Sequence, residues 1–305
     1  MNADARVLIT GCGGMLGDAM FATFSAACRE VHATDLVVTE PWLAGLDVRE
    51  MAECERAFAE VRPTVVLHLA ALTDLEYCET HPDDCWRTNA LGVENVALLA
   101  RNYDATMVYI STAGIFSGDK EEYHDFDVPS PLSEYGKSKY YGERFVETRV
   151  PKYFCLRAGW MMGGGPRKDK KFINKLYRQI QGGARELRVV DDRFGTPTYT
   201  VDFARSVAFL LTTGYYGVYN HVCGGGGSRF DVATEFVRLL GLADTISVVR
   251  VPSDYYRTDY FAPRPLSERL VNLKLTARGL NRMRDWRTCL SEYSAVFRKD
   301  LHAPV

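Results

Sequence analysis

Short apolar runs and amphipathic stretches alternate along the first half of the chain. The runs are rich in β-branched and other apolar residues, which is typical of buried parallel strands, and stretches with helical spacing separate them. The runs are RVLIT (6–10), EVHATDL (30–36), PTVVLHL (63–69), TMVYIS (106–111) and KYFCLR (152–157). This alternation predicts an α/β fold with a doubly wound parallel sheet.

After about residue 160 the pattern becomes mixed, and helical spacing dominates. The predicted helices there are FINKLYRQIQ (172–181), VDFARSVAFLLTT (201–213), FDVATEFVRLLG (230–241), TARGLNRM (276–283) and TCLSEYSAVFRKDL (288–301). We therefore predict a main domain of residues 1–160, to which residues 200–224 return. A smaller lobe of residues 161–199 and 225–305 would pack on the carboxyl edge of the sheet.

A glycine-rich turn connects the first predicted strand to a helix. Its residues are Gly11, Gly13, Gly14, Met15, Leu16 and Gly17. Gly11 permits a tight turn, Gly17 permits close packing of helix on strand, and the glycines between them let the backbone approach a phosphate. The free N–H groups at the start of the helix favour an anion. We predict that this turn holds the pyrophosphate of a dinucleotide; the alternative is a glycine turn without a ligand.

A carboxylate at the end of the second predicted strand bears on the choice of dinucleotide. Asp35 follows Gly17 by 18 residues, where a carboxylate can accept both hydroxyls of an adenosine ribose and would repel a 2′-phosphate. We therefore expect NAD(H) to be favoured, with NADP(H) as the alternative. Asp47 is expected to cap the next helix or to reach the adenine amine. The other residues assigned to the cofactor here are Val48, Leu69, Ala70 and Ala71.

A tyrosine and a lysine four residues apart carry the candidate chemistry. Tyr135 and Lys139 share one face of a predicted helix, and a neighbouring ammonium lowers the pKa of a phenol. Such a pair can give a proton to a carbonyl oxygen or take one from an alcohol. Thr112, at the carboxyl end of a strand, is a candidate second donor. Asn89 would weaken its helix unless its amide holds a buried backbone group or a water near the site.

Composition excludes several classes of protein. The 305 residues include 37 Lys and Arg against 39 Asp and Glu, so the net charge is −2, and we expect no nucleic-acid or membrane partner. The N-terminal segment has neither a basic stretch nor a long apolar run, so we expect no signal peptide and a cytoplasmic protein. Eight scattered cysteines without a C-x-x-C pair and six dispersed histidines indicate reduced core thiols and no metal site.

The order of these motifs resembles that of the extended short-chain dehydrogenase/reductases. The matching features are G-x-x-G-x-x-G at 11–17, Asp35, Asn89, Ser111-Thr112 and Tyr135-x-x-x-Lys139. Within that superfamily the chain is most similar to the dTDP-4-dehydrorhamnose reductase group. The similar stretches include HLAALTDLEYCETHPDDCWRTNALGVENVALLA, PLSEYGKSKYYGE, VVDDRFGTPTYTVDFA and APRPLSERLVNLKL.

The resemblance implies a seven-stranded Rossmann sheet with a C-terminal substrate-binding lobe. It also implies that NAD(P)H reduces the C4 keto group of a nucleotide-linked 4-keto-6-deoxy sugar. Tyr135 would protonate the C4 oxygen, Lys139 would lower the pKa of Tyr135 and hold the nicotinamide ribose, and Thr112 would bond the same oxygen. Asn89 would support the proton network, and Ser111 would contact the cofactor. The residues expected to line the sugar-nucleotide pocket are Ile115, Phe116, Trp160, Arg193, Pro197 and Arg264.

The chain departs from the family pattern at one place beside the expected site. Family members often carry Asp-Tyr after the strand-end Ser-Thr, whereas this chain has Ala113-Gly114. The change removes a carboxylate and an aromatic ring from the substrate side and leaves the exact sugar open. The resemblance also implies a homodimer. Some members have been described with magnesium, but no constellation of metal ligands is visible in this sequence.

Two other functions stay open at this point. A nucleotide-sugar 4-epimerase or dehydratase shares the core and the Tyr–Lys pair, although a dehydratase usually has an acidic pair where this chain has Ala113-Gly114. A non-catalytic regulatory subunit, like that of methionine adenosyltransferase, would have the same fold and bind a dinucleotide without turnover. Thr112, Tyr135 and Lys139 are all present, which favours catalysis.

Overall fold

The strands are short and mostly apolar, as the sequence predicts. A computed structural model describes residues 3–301 of the chain. The strands in that range are β1 (Arg6–Thr10), β2 (Glu30–Asp35), β3 (Leu43–Gly45), β4 (Val65–His68), β5 (Thr106–Thr112), β6 (Tyr153–Ala158), β7 (Trp160–Met162), β8 (Glu186–Val190), β9 (Phe194–Gly195), β10 (Pro197–Tyr199), β11 (Gly217–Asn220), β12 (Gly227–Ser228), β13 (Ser247–Val251) and β14 (Ser267–Glu268).

Helices separate most of these strands. Within the same range they are α1 (Gly17–Ser25), α2 (Met51–Val61), α3 (Leu75–Thr80), α4 (Pro82–Trp86), α5 (Gly92–Asn102), α6 (Glu134–Arg149), α7 (Gly165–Lys168), α8 (Phe172–Gln181), α9 (Thr200–Leu210), α10 (Arg229–Leu239), α11 (Leu273–Ala277) and α12 (Trp286–Leu301). A π-helical segment, Arg87–Leu91, joins α4 to α5. No helix of residues 3–301 has both the length and the apolar character needed to cross a membrane.

Seven parallel strands form the central sheet. Their order is β11-β6-β5-β4-β1-β2-β3, and every neighbouring pair is parallel. The chain first builds β2 and β3 on one side of β1 and then crosses to β4 on the other side. Ligands of open α/β sheets bind outside the carboxyl ends of the strands at such a reversal. The predicted fold class, a doubly wound parallel sheet, is confirmed.

Strand β1 of the central sheet packs apolar side chains on both faces. Val7 and Ile9 of β1 belong to one core cluster, together with Phe24 of α1. Leu8 belongs to the other cluster, together with Phe58 of α2. Because side chains alternate across a strand, a continuous apolar run such as RVLIT is what a sheet covered by helices on both faces requires.

Smaller sheets lie in the later part of the chain. They pair β7 with β10, β8 with β13, and β9 with both β12 and β14. Residues 200–224 supply α9 and the seventh strand of the central sheet, β11, which pairs with β6. This arrangement supports the predicted division into residues 1–160 with 200–224 and a lobe of 161–199 with 225–305, and the division stays a prediction.

One predicted helix is much shorter than expected. TARGLNRM contributes only its first two residues to α11, which ends at Ala277. Gly279 then adopts φ +67°, and the chain turns there. The helical spacing after Ala277 was misleading because a glycine with positive φ is a common way to end a helix.

Candidate active site

The glycine turn lies at the reversal between β1 and β4. Gly11 has φ +70°, and a Cβ atom there would lie 2.4 Å from the backbone of Ala70. A Cβ atom on Gly17 would lie 1.7 Å from the carbonyl oxygen of Cys12. Both positions therefore require glycine. The turn packs against the segment after β4, since the Leu69 N–H donates to the Thr10 carbonyl oxygen at 2.9 Å.

Asp35 contacts the glycine turn directly. Its Oδ2 atom accepts a hydrogen bond from the Gly13 N–H at 2.8 Å, and its Oδ1 atom accepts one from the Val37 N–H at 3.2 Å. Leu36 and Val37, which follow, are 58% and 60% exposed. The structure thus places a carboxylate and an apolar surface next to the turn, which is the arrangement that the ribose and adenine of a dinucleotide need.

Two residues assigned to the cofactor have other contacts. Asp47 forms a bidentate ion pair with Arg49, with Oδ2 at 2.6 Å from Nη2, and this partner lowers the pKa of Asp47. Helix α2 begins at Met51 with Glu50 as its N-cap residue, so the expectation that Asp47 caps it is wrong. Val48 is 5% exposed and belongs to a core cluster, where its side chain packs against Gly92.

Tyr135 and Lys139 lie in the first turns of α6. Ser133 caps this helix, because its Oγ atom accepts a hydrogen bond from the Gly136 N–H at 3.1 Å. Lys139 is 3% exposed, and its ammonium lies 4.3 Å from the centre of the Tyr109 ring. Burial lowers the pKa of Lys139 to about 8. The ammonium is therefore held in a confined place where it is still charged at neutral pH.

The expectation that the charge of Lys139 lowers the pKa of Tyr135 is wrong in this structure. Burial raises the pKa of Tyr135, and the hydrogen bond with Thr112 lowers it by less. The charge of Lys139 is not among the main causes of this shift. Sharing one helix face was too coarse a criterion, because the ammonium packs on the ring of Tyr109. Tyr135 is thus a protonated donor at neutral pH.

Thr112 ends β5 beside Tyr135, as the sequence predicts. Its Oγ1 atom accepts a hydrogen bond from the Gly114 N–H at 3.1 Å, and its side chain lies close enough to the hydroxyl of Tyr135 to lower the pKa of that phenol. Two hydroxyl groups on different elements, a strand end and a helix, therefore meet at one point. A carbonyl oxygen placed there could accept hydrogen bonds from both of them.

Asn89 supports the site from behind. It is fully buried in the π-helical segment. Its Oδ1 atom accepts a hydrogen bond from the Leu72 N–H at 2.8 Å, and its Nδ2 atom donates to the Leu72 carbonyl oxygen at 2.9 Å. Nδ2 also lies 3.2 Å from the hydroxyl of Ser138 on α6. The expectation that the amide holds a buried backbone group is confirmed, and the bond to Ser138 joins that group to the helix of Tyr135.

Three residues assigned to the cofactor or the substrate point elsewhere. The hydroxyl of Ser111 donates to a carboxylate oxygen of Glu143 at 2.7 Å, on the opposite side of β5 from Thr112. Ile115 and Phe116 are both fully buried in a small core cluster, and Phe116 stacks on Tyr123 with ring centres 4.3 Å apart. Their expected contact with the substrate is wrong, because their side chains fill the core behind the site.

The residues assigned to the substrate in the later part of the chain lie on several elements. Trp160 of β7 is in register with Pro197 of β10, which is buried. Arg193 donates to the carbonyl oxygen of Asp192 at 3.1 Å. Arg264 forms an ion pair with Glu76 at 2.7 Å. The structure brings Trp160 and Pro197 together, whereas the two arginines already have protein partners.

Sequence reasoning missed two charged residues that contact Trp160. The Glu268 Oε2 atom accepts a hydrogen bond from the indole N–H at 2.7 Å. The guanidinium of Arg229 lies 3.5 Å from the centre of the indole ring, and burial lowers its pKa to about 10. Glu268 lies in the stretch APRPLSERLVNLKL, but nothing in that stretch indicates a contact with Trp160, and both residues are far from Trp160 in the chain. Only the tertiary structure could reveal these contacts.

No metal centre accompanies the site in the part of the chain that the structure describes. Across residues 3–301, no three His, Cys, Asp or Glu side chains are grouped so that they could hold a metal ion. The eight cysteines are buried, which agrees with their interpretation as core thiols.

Comparisons with known proteins agree with this geometry. A reductase of dTDP-4-keto-6-deoxy-D-glucose from Streptomyces niveus is 30% identical over 97% of this chain and 98% of its own length. The crystal structure of a dTDP-4-dehydrorhamnose reductase from Clostridium acetobutylicum superposes with a TM-score of 0.86 and 33% identity, covering 96% of this chain and 99% of the other. The enzyme of the same name from Bacillus anthracis, in complex with NADP, gives a TM-score of 0.84 and 28% identity, covering 95% and 98%.

A family model covers nearly all of the chain as well. The model describes the RmlD substrate binding domain, and it matches residues 5–299. The match includes the glycine turn, the Tyr–Lys helix and the later strands around Trp160. The resemblance noted in the sequence is thereby confirmed, and the chain belongs to the RmlD substrate binding domain family.

Proposed function

We propose that this chain is an NAD(P)H-dependent oxidoreductase that reduces the C4 keto group of a nucleotide-linked 4-keto-6-deoxy sugar, as in the synthesis of dTDP-rhamnose. The observation that carries the proposal is the meeting of Thr112 and Tyr135 beside the sheet reversal where the glycine turn lies. The reductases to which the chain is similar act on substrates of this class.

The residues of the first half of the chain fit a dinucleotide. The glycine turn presents the start of α1, and a Cβ atom on Gly14 would have only the Gly11 carbonyl oxygen near it, at 3.6 Å. This open side is where a pyrophosphate would reach the helix N–H groups. Asp35 would bind the adenosine ribose and favour NAD(H), with NADP(H) as the alternative. A bound reduced nicotinamide would supply a hydride to the C4 carbon.

Thr112 and Tyr135 would act on the C4 oxygen. Both hydroxyls would hydrogen-bond the carbonyl oxygen, and Tyr135 would give its proton to that oxygen as the alcohol forms. The phenol is protonated before the step, because burial raises the pKa of Tyr135. Lys139 would hold the nicotinamide ribose, with its ammonium positioned by packing on the ring of Tyr109.

The structure supports a positioning role for Asn89. Its amide contacts Leu72, Cys85 and Ser138, and the residue is fully buried, so it presents no group to a substrate. We infer that it fixes the segment after β4 against α6 and so sets where Tyr135 lies. The homodimer and the cytoplasmic location expected from the sequence stay predictions.

Consumption of NADH and NADPH, measured in separate reactions on adding dTDP-4-keto-6-deoxy-L-mannose, tests the proposal. We expect loss of reduced nicotinamide together with formation of dTDP-rhamnose, faster with NADH. An epimerase would change the sugar with no net consumption of either cofactor. Binding of dinucleotide without any turnover would instead support a regulatory subunit.

A further inference from the structure

Glu268 is a carboxylate with one unused oxygen atom beside the candidate active site. It ends β14, where it is in register with Gly195 of β9. Its Oε2 atom accepts the indole N–H of Trp160 at 2.7 Å. Among residues 3–301, no donor forms a hydrogen bond to Oε1 and no Lys, Arg or His forms an ion pair with this carboxylate. A partly buried carboxylate normally has such partners, because its charge is costly to remove from water.

The unused oxygen lies near the point where the carbonyl would bind. A Cβ atom on Gly114 would be 3.5 Å from Thr112 Oγ1 and 3.6 Å from Glu268 Oε1. These two oxygen atoms are therefore at most about 7 Å apart. The charge of Glu268 also contributes to raising the pKa of Tyr135, which agrees with a carboxylate close to this phenol.

The space that Glu268 faces exists because position 114 has no side chain. Apart from its chain neighbours, the atoms nearest to a Cβ atom at this position would be side-chain atoms of Thr112 and Glu268, none of them closer than 3.5 Å. Glu268 brings a carboxylate to the same place from a part of the chain more than 150 residues later. The absence of a side chain at position 114 and the presence of Glu268 are thus parts of one local arrangement.

The contacts of Trp160 hold the carboxylate in a fixed orientation. Its N–H binds Oε2, and its ring face lies 3.5 Å from the guanidinium of Arg229. The indole thus stands between an anion and a cation that do not form an ion pair with each other. Oε1 is left as an acceptor that a substrate hydroxyl can use, and hydrogen bonds to a charged acceptor are among the stronger ones.

We propose that Glu268 determines which sugar is accepted, by taking a hydrogen bond from the C3 hydroxyl of the substrate. This inference rests on the proposed function, because C3 is defined relative to the C4 keto group. In a 4-keto-6-deoxy hexose, C3 carries a hydroxyl and C5 carries the methyl group. With the C4 oxygen at Thr112 and Tyr135, two hydrogen bonds of about 2.7 Å each can bridge the gap from Thr112 to Glu268 through the C4 and C3 oxygens.

Binding of two product sugars tests this role without depending on turnover. The probes are dTDP-6-deoxy-L-mannose and its 3-deoxy analogue, and the measurement is the Kd of each by calorimetry in the presence of NAD⁺. We expect the wild type to prefer the 3-hydroxyl sugar by about 10- to 100-fold, as for a hydrogen bond to a charged group. Glu268→Ala should reduce this preference below about threefold, and Glu268→Gln, which keeps a neutral polar group, to an intermediate ratio.

Glu121→Gln is the matched control. Glu121 is an exposed carboxylate that pairs with Arg269, the neighbour of Glu268, so its loss tests a change of charge near β14 without touching Trp160. This variant should keep the full preference. An equal affinity of the wild type for both sugars, or an unchanged preference in Glu268→Ala, overturns the inference.

The outcomes also separate this inference from the proposed function. A preference that depends on Glu268 in a chain that does not reduce dTDP-4-keto-6-deoxy-L-mannose would support the inference and contradict the reductase. Turnover without a preference would support the reductase and contradict the role of Glu268. Failure of both sugars to bind would contradict both.

Discussion

The cofactor side and the substrate side of the site are built in different ways. On the cofactor side, Gly13 and Asp35 are 22 residues apart and meet through a single hydrogen bond within one β-α-β unit. On the substrate side, Trp160 and Glu268 are 108 residues apart, and Arg264 and Glu76 are 188 apart. The first side is made by local geometry, whereas the second is made by contacts across the whole chain.

This difference determines which substitutions each side of the site can tolerate. The glycine turn is fixed by backbone atoms, because a Cβ atom on Gly11 or Gly17 would overlap them. The substrate side is made of contacts between side chains far apart in the chain, such as those of Trp160 and Glu268. We therefore expect mutations on the cofactor side to act through the backbone and those on the substrate side through particular polar groups.

The largest expected effect is on the chemical step, where the two sides meet. Tyr135→Phe removes the proton donor and should lower kcat by about 1,000-fold, within the range for general acid catalysis. Dinucleotide binding should change by less than about threefold, since the ring remains in place. Stopped-flow reduction and cofactor titration measure the two quantities. Tyr141→Phe, on the exposed face of α6, is the control and should keep full activity; equal activity of both variants would remove Tyr135 from the mechanism.

The next effect tests whether the cofactor side depends on its backbone. Gly17→Ala places a Cβ atom 1.7 Å from the Cys12 carbonyl oxygen, so the start of α1 must move. We expect a loss of stability of about 1–3 kcal/mol and a Kd for NADH higher by about 100-fold, since the helix N–H groups lose their alignment. Gly14→Ala is the matched control, because its Cβ atom would have only one neighbour, at 3.6 Å. Similar affinities in the two variants would contradict this account of the turn.

The sequence predicts the cofactor side of the site better than the substrate side. Some features could be predicted because each depends on a local sequence pattern or on the geometry of a parallel sheet. They are the strand β1, the glycine turn, the position of Asp35 and the proximity of Thr112 to Tyr135. Ile115 and Phe116 were wrongly assigned to the substrate pocket, because the sequence does not distinguish an apolar residue buried beside a site from one that lines it. The roles of Glu268 and Arg229 could not be predicted, since they come from contacts with Trp160, which reaches these residues only in the folded chain.

Asp35 tests the specificity of the cofactor side. Asp35→Ala removes the acceptor for the ribose hydroxyls and should raise the Kd of NADH by about 30-fold, as for loss of hydrogen bonds to a charged group. The Kd of NADPH should change by less, because the variant also removes a charge that repels the 2′-phosphate. Fluorescence titration with each cofactor measures both values. Glu30→Ala, at the other end of β2, should leave both unchanged; equal shifts for the two cofactors in Asp35→Ala would show that this carboxylate does not discriminate between them.

The smallest expected effect concerns Lys139, which would link the two sides through its contact with the cofactor. Its pKa is lowered to about 8 by burial, so the ammonium is charged at pH 7 and loses its proton as the pH rises through 8. We expect kcat/KM to fall above pH 8, approaching about tenfold per pH unit. Tyr135 does not cause this limb, because burial raises its pKa. Lys139→Arg, which keeps its charge, should move the fall to higher pH, whereas Lys137→Ala, on the exposed face of α6, should not. A fall at the same pH in Lys139→Arg would assign the limb to another group and leave Lys139 with only its packing on Tyr109.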